Sequence, residues 1–368
     1  MTDKKVLRIM SLFAGCGGMD LGFLMAQYPK YKYEVAWAND FDAYACATYK
    51  LNIGEEIVHG DIWDIDLKKT PKVDVIVGGF PCQDFSIMRR ERNDVFKSKR
   101  GLLYTKFVDA VSEKLPIFFV AENVRGLISA NRGWAIKKIK EDFEKVGYNV
   151  QYQLLNFADY GVPQNRQRVI IVGVRNDLDY SFVYPKPTHQ GRHVPVKIAL
   201  KDVELIEVNN ERQKLHQSTI DILNQILAGG NYKSTKQFAD KNWISLTYRR
   251  LHPDKPSPTI IANGGGGMQG YHWKEPRSLT NRERARIQTF PDSFHFVGSM
   301  TQVRRQLGNA VPPEGIKPIA EQLLKMVNGE LQNQSLSKYK TKATDKECPI
   351  VAPNAQNSPN LSLSLSIA

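Results

Sequence analysis

Two residues stand where short apolar runs stop. Cys82 follows a β-branched run and two glycines in residues 73–86, VDVIVGGFPCQDFS, and Glu122 follows the run PIFFVA at 116–121. Short, nearly continuous apolar runs suit strands covered on both faces of a parallel sheet. Ligands and chemistry collect beyond the carboxyl ends of such strands, so a thiol and a carboxylate would emerge at one edge. A thiolate can add to an electron-poor carbon, and a carboxylate can hold or move a proton beside it. Most cysteines are small buried hydrophobes, and most strand-end carboxylates are caps or ion-pair partners. The coincidence of the two shifts the balance toward chemistry. A third candidate is the pair Arg166 and Arg168 in YGVPQNRQR. Two apart on an extended segment, they share a face and could fix a phosphate or a carbonyl; an exposed strand start is the alternative.

Three more strand ends belong to the same edge. Residues 6–13 run into the glycine-rich turn AGCGGMDLGF, whose free N–H groups at a helix start favour a carboxylate or phosphate. A dinucleotide fingerprint starting at Gly15 would need glycine where the chain has Asp20. The strand at 33–38 ends in Asn39, Asp40 and Phe41. Asp40 could accept from ribose hydroxyls and Phe41 could stack on adenine, or the two could be a helix cap and a core aromatic. Residues 58–62 bring Asp61 to the edge. Glycine, Asp and Asp at consecutive strand ends point to an adenosine-containing ligand.

The remaining chain supplies helices, a loop and a second region. A basic stretch at 87–99 lacks apolar periodicity and reads as a long surface loop, with Arg89, Arg90, Arg92, Lys97, Lys99 and Arg100 suited to phosphate; a solvated charged loop is the alternative. Helices are expected at 101–113 and 134–146, and strands at 148–156 and 169–174. From Tyr184 the strand–helix alternation gives way to proline, histidine and basic residues, which fits a domain boundary. Beyond it come an amphipathic helix at 219–227, aromatics interleaved with Lys, Arg, Asn and Gln, and the glycine tract 264–267. Thr280 and Glu283 form a capping box opening a short helix. A last helix is expected at 314–327, and disorder after Gly329.

With 368 residues, 51 Lys+Arg against 38 Asp+Glu and a net charge of +13, the chain has room for two domains and suits a polyanionic partner. The four cysteines, Cys16, Cys46, Cys82 and Cys348, include no CxxC, which argues against a disulfide framework and a zinc site. No run reaches the ~20 apolar residues of a membrane span. The expectation is a cytoplasmic, soluble protein without metal.

Taken in order, FAGCGGMDLGF, GGFPCQDFS, AENVRG, QNRQRVIIVG, RSLTNRERARIQTFPD and QLGNAVPP closely resemble the motif series of bacterial-type DNA (cytosine-5)-methyltransferases. The resemblance spans about residues 7–327. It implies an α/β fold: a Rossmann-like S-adenosylmethionine-dependent domain, with a mixed, mostly parallel sheet and helices on both faces, plus a smaller irregular target-recognition domain. Residues 1–184 and 304–328 would form the catalytic domain, 185–303 the recognition domain and hinge, and 329–368 a tail. Cys82, placed by Pro81 where a helix dipole favours the thiolate, would add to C6 of cytosine. Glu122 would hold the N3/N4 edge, and Arg168 with Arg166 would contact the base carbonyl or nearby backbone.

S-adenosyl-L-methionine, leaving as S-adenosyl-L-homocysteine, would lie among Phe13, Gly15, Gly17, Gly18, Asp40, Phe41, Asp61, Ile62, Pro81, Asn309 and Val311. The target base would be flipped from double-stranded DNA. Gln83, Ser86, Arg89, Arg90, Lys99, Arg100, Arg249, Arg250, Thr259 and Gly265 would contact the DNA. The resemblance further implies a monomer of a restriction-modification system, with a companion endonuclease acting separately, in a bacterial or viral-host cytoplasm. The rival is a tRNA cytosine-5 methyltransferase on the same scaffold. Its relatives usually carry Cys-Phe-Thr in the recognition region, where this chain has no cysteine. An inactive DNA-binding relative would tend to have lost Cys82 or Glu122, and a dehydrogenase is disfavoured by Asp20.

Overall fold

The apolar runs lack alternation because both strand faces are covered. In the computed structural model, which describes residues 4–81, 103–262, 267–268 and 270–331, Val75, Ile76 and Val77 have no exposure, nor do Phe118, Phe119 and Val120. The first half contains β1 (Lys5–Leu12), α1 (Gly18–Leu24), β2 (Tyr31–Asp40), α2 (Ala43–Asn52), β3 (Ile57–His59), β4 (Val75–Gly78), α3 (Leu103–Lys114), β5 (Phe118–Val124), α4 (Gly126–Ser129), α5 (Trp134–Lys145), β6 (Tyr148–Asn156), β7 (Gln164–Asn165) and β8 (Gln167–Arg175). The second contains α6 (Val196–Ala199), α7 (Gln217–Asn224), β9 (Ser257–Pro258), α8 (Asn281–Ile287), α9 (Met300–Asn309) and α10 (Pro313–Val327).

Seven strands form one sheet in the order β3-β2-β1-β4-β5-β8-β6. Neighbours from β3 to β5 are parallel, whereas β8 is antiparallel to both β5 and β6. The direction of winding reverses between β1 and β4, so the turns after these two strands open side by side, as ligand sites of doubly wound folds do. This is the Rossmann-like, mixed and mostly parallel sheet expected.

Successive side chains enter opposite cores. Leu7, Ile9, Val75 and Val77 face one cluster, closed by Ile316, Ile319 and Leu323 of α10. Met10, Leu12 and Ile76 face the other, with Phe107 of α3 and Phe143 of α5. Phe119 stacks on Phe143 with ring centroids 4.2 Å apart. Helix α10 packs against α1. A Cβ on Gly22 would lie 2.3 Å from Ile316 Cγ2, so only glycine admits that approach. The Tyr33 hydroxyl donates to the Ala320 carbonyl at 2.9 Å, fixing α10 against β2.

A smaller core of Val196, Leu200, Leu251, Ile260, Leu279 and Ile287 lies in the second half. Helix α7 stops at Asn224, short of the expected 227, and α9 was not anticipated. No helix among the described residues is long and apolar enough to cross a membrane.

Candidate active site

The two glycines before Pro81 are explained by what they touch. A Cβ on Gly78 would stand 2.1 Å from the Leu12 carbonyl of β1, and one on Gly79 would stand 3.1 Å from Glu122 Oε2. Glycine at 78 lets the ends of β1 and β4 close together; glycine at 79 leaves room for the carboxylate. The Phe80 carbonyl then accepts from Asn123 Nδ2 at 3.0 Å, and the Phe80 ring packs against Tyr104 and Phe107. The chain thus arrives at exposed Pro81 from a fixed position. Sequence reasoning passed over Asn123, although it adjoins Glu122. Cys82, Gln83, Ser86, Arg89, Arg90, Lys99, Arg100 and Gly265 lie outside the described residues.

Glu122 and Arg168 are brought together by the antiparallel pairing of β5 and β8. Glu122 is registered with Ile170 and Val124 with Arg168, so the two charged residues are diagonal neighbours on one face. Arg168 Nε lies 2.6 Å from Glu122 Oε1, with both side chains close to nine-tenths buried. The Nε–H is not aligned on that oxygen, which has no hydrogen bond. The carboxylate is therefore oriented by charge at Oε1, with room beside Gly79 at Oε2.

Arg168 also lines a cleft of about 490 Å³ with Arg125, Asn156, Asn165, Gln167 and Thr259. The Thr259 hydroxyl donates to the Asn165 carbonyl at 2.7 Å, and Arg125 reaches Gln167 Oε1 at 2.9 Å. A larger cleft, about 780 Å³, opens between Lys197, Asn210, Trp273 and Glu283. It holds none of the residues singled out for chemistry, so the smaller cleft beside Glu122 is the candidate site.

Arg166, expected to work with Arg168, is placed elsewhere. It is 1 % exposed, and its guanidinium donates to the carbonyls of Ile260, Gly308 and Ala310. Spacing put both arginines on one face, but Arg166 falls between β7 and β8, where the strand pattern breaks. Its terminal nitrogens are committed, which corrects the expected contact with a base. Arg250 requires a similar correction. It is 8 % exposed and donates to the carbonyls of Leu223, Ile226, His272 and Trp273, so four of its five N–H groups are turned inward. Arg249 is half-buried and donates to the Gly229 carbonyl at 2.7 Å.

At the switch point, the turn after β1 is built from left-handed backbone. Phe13, Gly15 and Gly17 have φ of 55°, 57° and 88°. A phenylalanine there is strained, as residues at ligand sites often are. Asp40 holds the turn: one carboxylate oxygen accepts from Gly15 N and the other from Asp42 N, at 2.8 and 2.9 Å. Burial raises the Asp40 carboxyl above the ordinary range. No atom lies within 4 Å of where a Gly15 Cβ would stand, so that face of the turn is open. The Phe41 ring is 74 % exposed, an apolar face left in water at the same edge.

Asp61 is exposed and caps a 3-10 turn through Trp63 N, and Ile62 is buried beneath it. Asn39, which the sequence did not single out, ties β2 to β3 by donating to the carbonyls of Val58 and Gly60. Gly18 has no room for a side chain, since the Val311 carbonyl lies 2.4 Å from where its Cβ would stand. Asn309 is exposed next to it. An open glycine turn, an acidic residue with lone pairs to spare and a free aromatic face together fit an adenosine group.

Cys16 and Cys46 are buried behind this edge as free thiols, both pushed up to about 12 by burial.

The fold and site define a Rossmann-like methyltransferase class. Residues 7–325 match the family model of the C-5 cytosine-specific DNA methylases, and the chain belongs to that family. It is a DNA (cytosine-5-)-methyltransferase, and membership implies S-adenosyl-L-methionine as methyl donor. Similar proteins include the Type II methyltransferase M.NgoFVII of Neisseria gonorrhoeae, 46% identical over 89% of each chain. Another is the Type II methyltransferase M.BbvI of Brevibacillus brevis, 43% identical over 85% of this chain and 90% of that one. Among solved structures, a putative DNA modification methyltransferase encoded within an E. coli prophage is similar at TM-score 0.70 and 25% identity, over 88% of this chain and 99% of that one. The S. pombe Dnmt2 methyltransferase shares the fold at TM-score 0.62 and 19% identity, covering 88% of this chain and 99% of that one.

Proposed function

We propose that the chain methylates C5 of a cytosine flipped out of duplex DNA, through a covalent bond from Cys82 to C6. The observation that carries the reading is the Glu122–Arg168 pair, held beside Gly79 three residues before Cys82. C5 of cytosine is a weak nucleophile. Addition of the Cys82 thiolate to C6 forms the C–S bond and moves electron density to C5, which becomes enamine-like. Glu122 holds the N3/N4 edge and favours a proton at N3 as C6 is attacked. Arg168 orients Glu122 and, from the cleft, meets the base carbonyl or the adjoining backbone. After methyl transfer the C5 proton goes to a base, water being a candidate, and the C–S bond breaks as the thiolate leaves.

S-adenosyl-L-methionine, when bound, supplies the electrophilic methyl. Gly15, Gly17 and Gly18 would bound its methionine end, with Phe13 alongside. Asp40 would take the ribose hydroxyls, and Phe41, Asp61 and Ile62 the adenine. Pro81, Asn309 and Val311 would close the site. C5 and C6 are covered within the stack, so the base must leave the helix to be reached. The cleft at Thr259 and Asn165 is then where the flipped nucleotide's sugar and phosphate would run.

The likeness to Type II methyltransferases supports service as the modification half of a restriction-modification pair. In this reading the enzyme acts as a monomer and its endonuclease works separately. The test is transfer of labelled methyl to duplex DNA, with bisulfite sequencing to read base and context. Cys82→Ser should abolish turnover while S-adenosyl-L-homocysteine still binds. Methylation that survives the substitution would remove Cys82 from the mechanism; transfer to tRNA alone would overturn the DNA reading.

A further inference from the structure

Arg166 is an interior cation with no carboxylate bonded to it. Its NH1 donates to the Ile260 carbonyl at 3.1 Å, and its NH2 donates to the carbonyls of Gly308 and Ala310, both at 2.9 Å. A guanidinium without water is costly to bury, and here three neutral carbonyls, with attraction from the Glu122 carboxylate nearby, offset that cost. Burial, followed by repulsion from Arg168, lowers its pKa to about 9.

What the three carbonyls belong to gives the charge a purpose. Ile260 follows Thr259, whose side chain lines the cleft next to Arg168. On the other side, Gly308 and Ala310 belong to the turn that ends α9. A Cβ on Gly308 would fall 2.1 Å from Ala262 N, so the turn and the segment after Ile260 are in backbone contact. One residue beyond Ala310, the Val311 carbonyl presses on Gly18, where the glycine turn becomes α1.

A second buried link runs parallel to the first. Gln164 Oε1 accepts from Ile260 N at 2.9 Å, and Gln164 Nε2 donates to Gln288 Oε1 at 2.8 Å. Gln288 in turn donates to the Leu307 carbonyl. Segments far apart in sequence, one beside the DNA cleft and one against the glycine turn, are joined through residues 164 and 166.

We propose that Arg166 is a positioning residue that couples the two ligand sites, so that occupancy of the glycine turn is transmitted through the 308–311 turn to Thr259, and DNA in the cleft is transmitted back. The inference rests on the reading of the glycine turn as the cofactor site. Coupling of this kind is reciprocal: each ligand must change the other's affinity by the same factor.

The experiment measures the Kd of the full chain for a duplex carrying its mapped methylation site, with and without saturating S-adenosyl-L-homocysteine. It is repeated for Arg166→Met and Arg166→Lys. The native chain should bind DNA about fivefold tighter or more in the presence of the homocysteine product. In Arg166→Met, which keeps a similar shape without charge, the ratio should fall close to one. Lysine cannot span all three carbonyls, so Arg166→Lys should retain only part of it.

A purely structural role would lower Tm and weaken both ligands while leaving the ratio unchanged, and that result overturns the proposal. If Arg166→Met does not fold, an undiminished ratio in Arg166→Lys overturns it alone. A native chain that binds the product with a ratio of one refutes the coupling only; a native chain that fails to bind it refutes the cofactor reading beneath.

Discussion

Glu122 meets Arg168 because the strand beside it runs the other way. Had β8 been parallel to β5, its arginine would have met the carboxylate at another height; the antiparallel register sets Arg168 diagonally across from it. With Oε1 covered by Arg168, it is Oε2, where Gly79 leaves space, that is placed to accept from a base edge. Glu122→Gln keeps the size but removes the charge that favours protonation at N3. Methyl transfer should slow by about 10²–10⁴-fold, with DNA affinity nearly unchanged, as single-turnover rates and filter binding would measure. A rate within about twofold of native would discard the role. At this scale, the placement of Glu122 near the end of a buried strand was legible from the apolar run before it. The difference between Arg166 and Arg168 was not, because the carbonyls that capture Arg166 lie 94 to 144 residues away. Arg250 misled for the same reason: nothing local in a Tyr-Arg-Arg run says which arginine turns inward.

Local signals read elements well where the bonds that define them are local. The capping box of Thr280 and Glu283 was visible in the letters and is formed in both directions. The same pattern in Ser299 and Gln302, which opens α9, could have revealed that helix. Pairing was another matter. That β8 inserts between β5 and β6 is decided by contacts across the sheet, which period-two patterning does not report.

Asp20 shows an element-scale consequence. The residue that breaks the dinucleotide fingerprint is fully buried and joins three elements, accepting from Ser11 of β1 at 2.9 Å and Tyr49 of α2 at 3.2 Å. The Tyr49 ring in turn packs under Gly17, 3.0 Å from where a Cβ would stand. Burial, opposed by these two hydrogen bonds, pushes the Asp20 carboxyl up from 3.8 to about 6. Below about pH 4 folded and unfolded chains both hold the proton. Between pH 4 and 6 only the folded chain does, so stability falls as pH rises through that window. Above it the buried charge costs on the order of 3 kcal/mol. Asp20→Asn cannot ionise and should be the more stable protein at pH 7.5, with the advantage lost near pH 4. Thermal unfolding of both proteins across that range measures it; parallel curves would show that the carboxylate bears no such cost.

For the whole molecule, the excess of base over acid overstates what a polyanion would meet. Arg166, Arg250, Arg282, Arg284 and Arg304 are each at most 9 % exposed, and most of their bonds are to interior carbonyls. The formal charge of +13 therefore includes cations that hold the second half of the chain together. Composition makes no distinction between the two uses, which is why it supported a nucleic-acid partner without locating the contact. The basic residues that remain for phosphate include Arg89, Arg90, Arg92, Lys97, Lys99 and Arg100 after the proposed nucleophile. Each phosphate they neutralise releases condensed counterions, so log Kobs for DNA should fall linearly with log salt, with a slope near −5 if about six contacts form. Removing Lys99 and Arg100 together should make the slope shallower by about two. Buried arginines behave differently: Arg250→Met should lower Tm without changing the slope, because its charge never faces the DNA. Titrations of labelled duplex between 50 and 300 mM salt separate the two classes. A slope that Lys99→Ala with Arg100→Ala leaves unchanged would move the DNA contact off the stretch that follows Cys82.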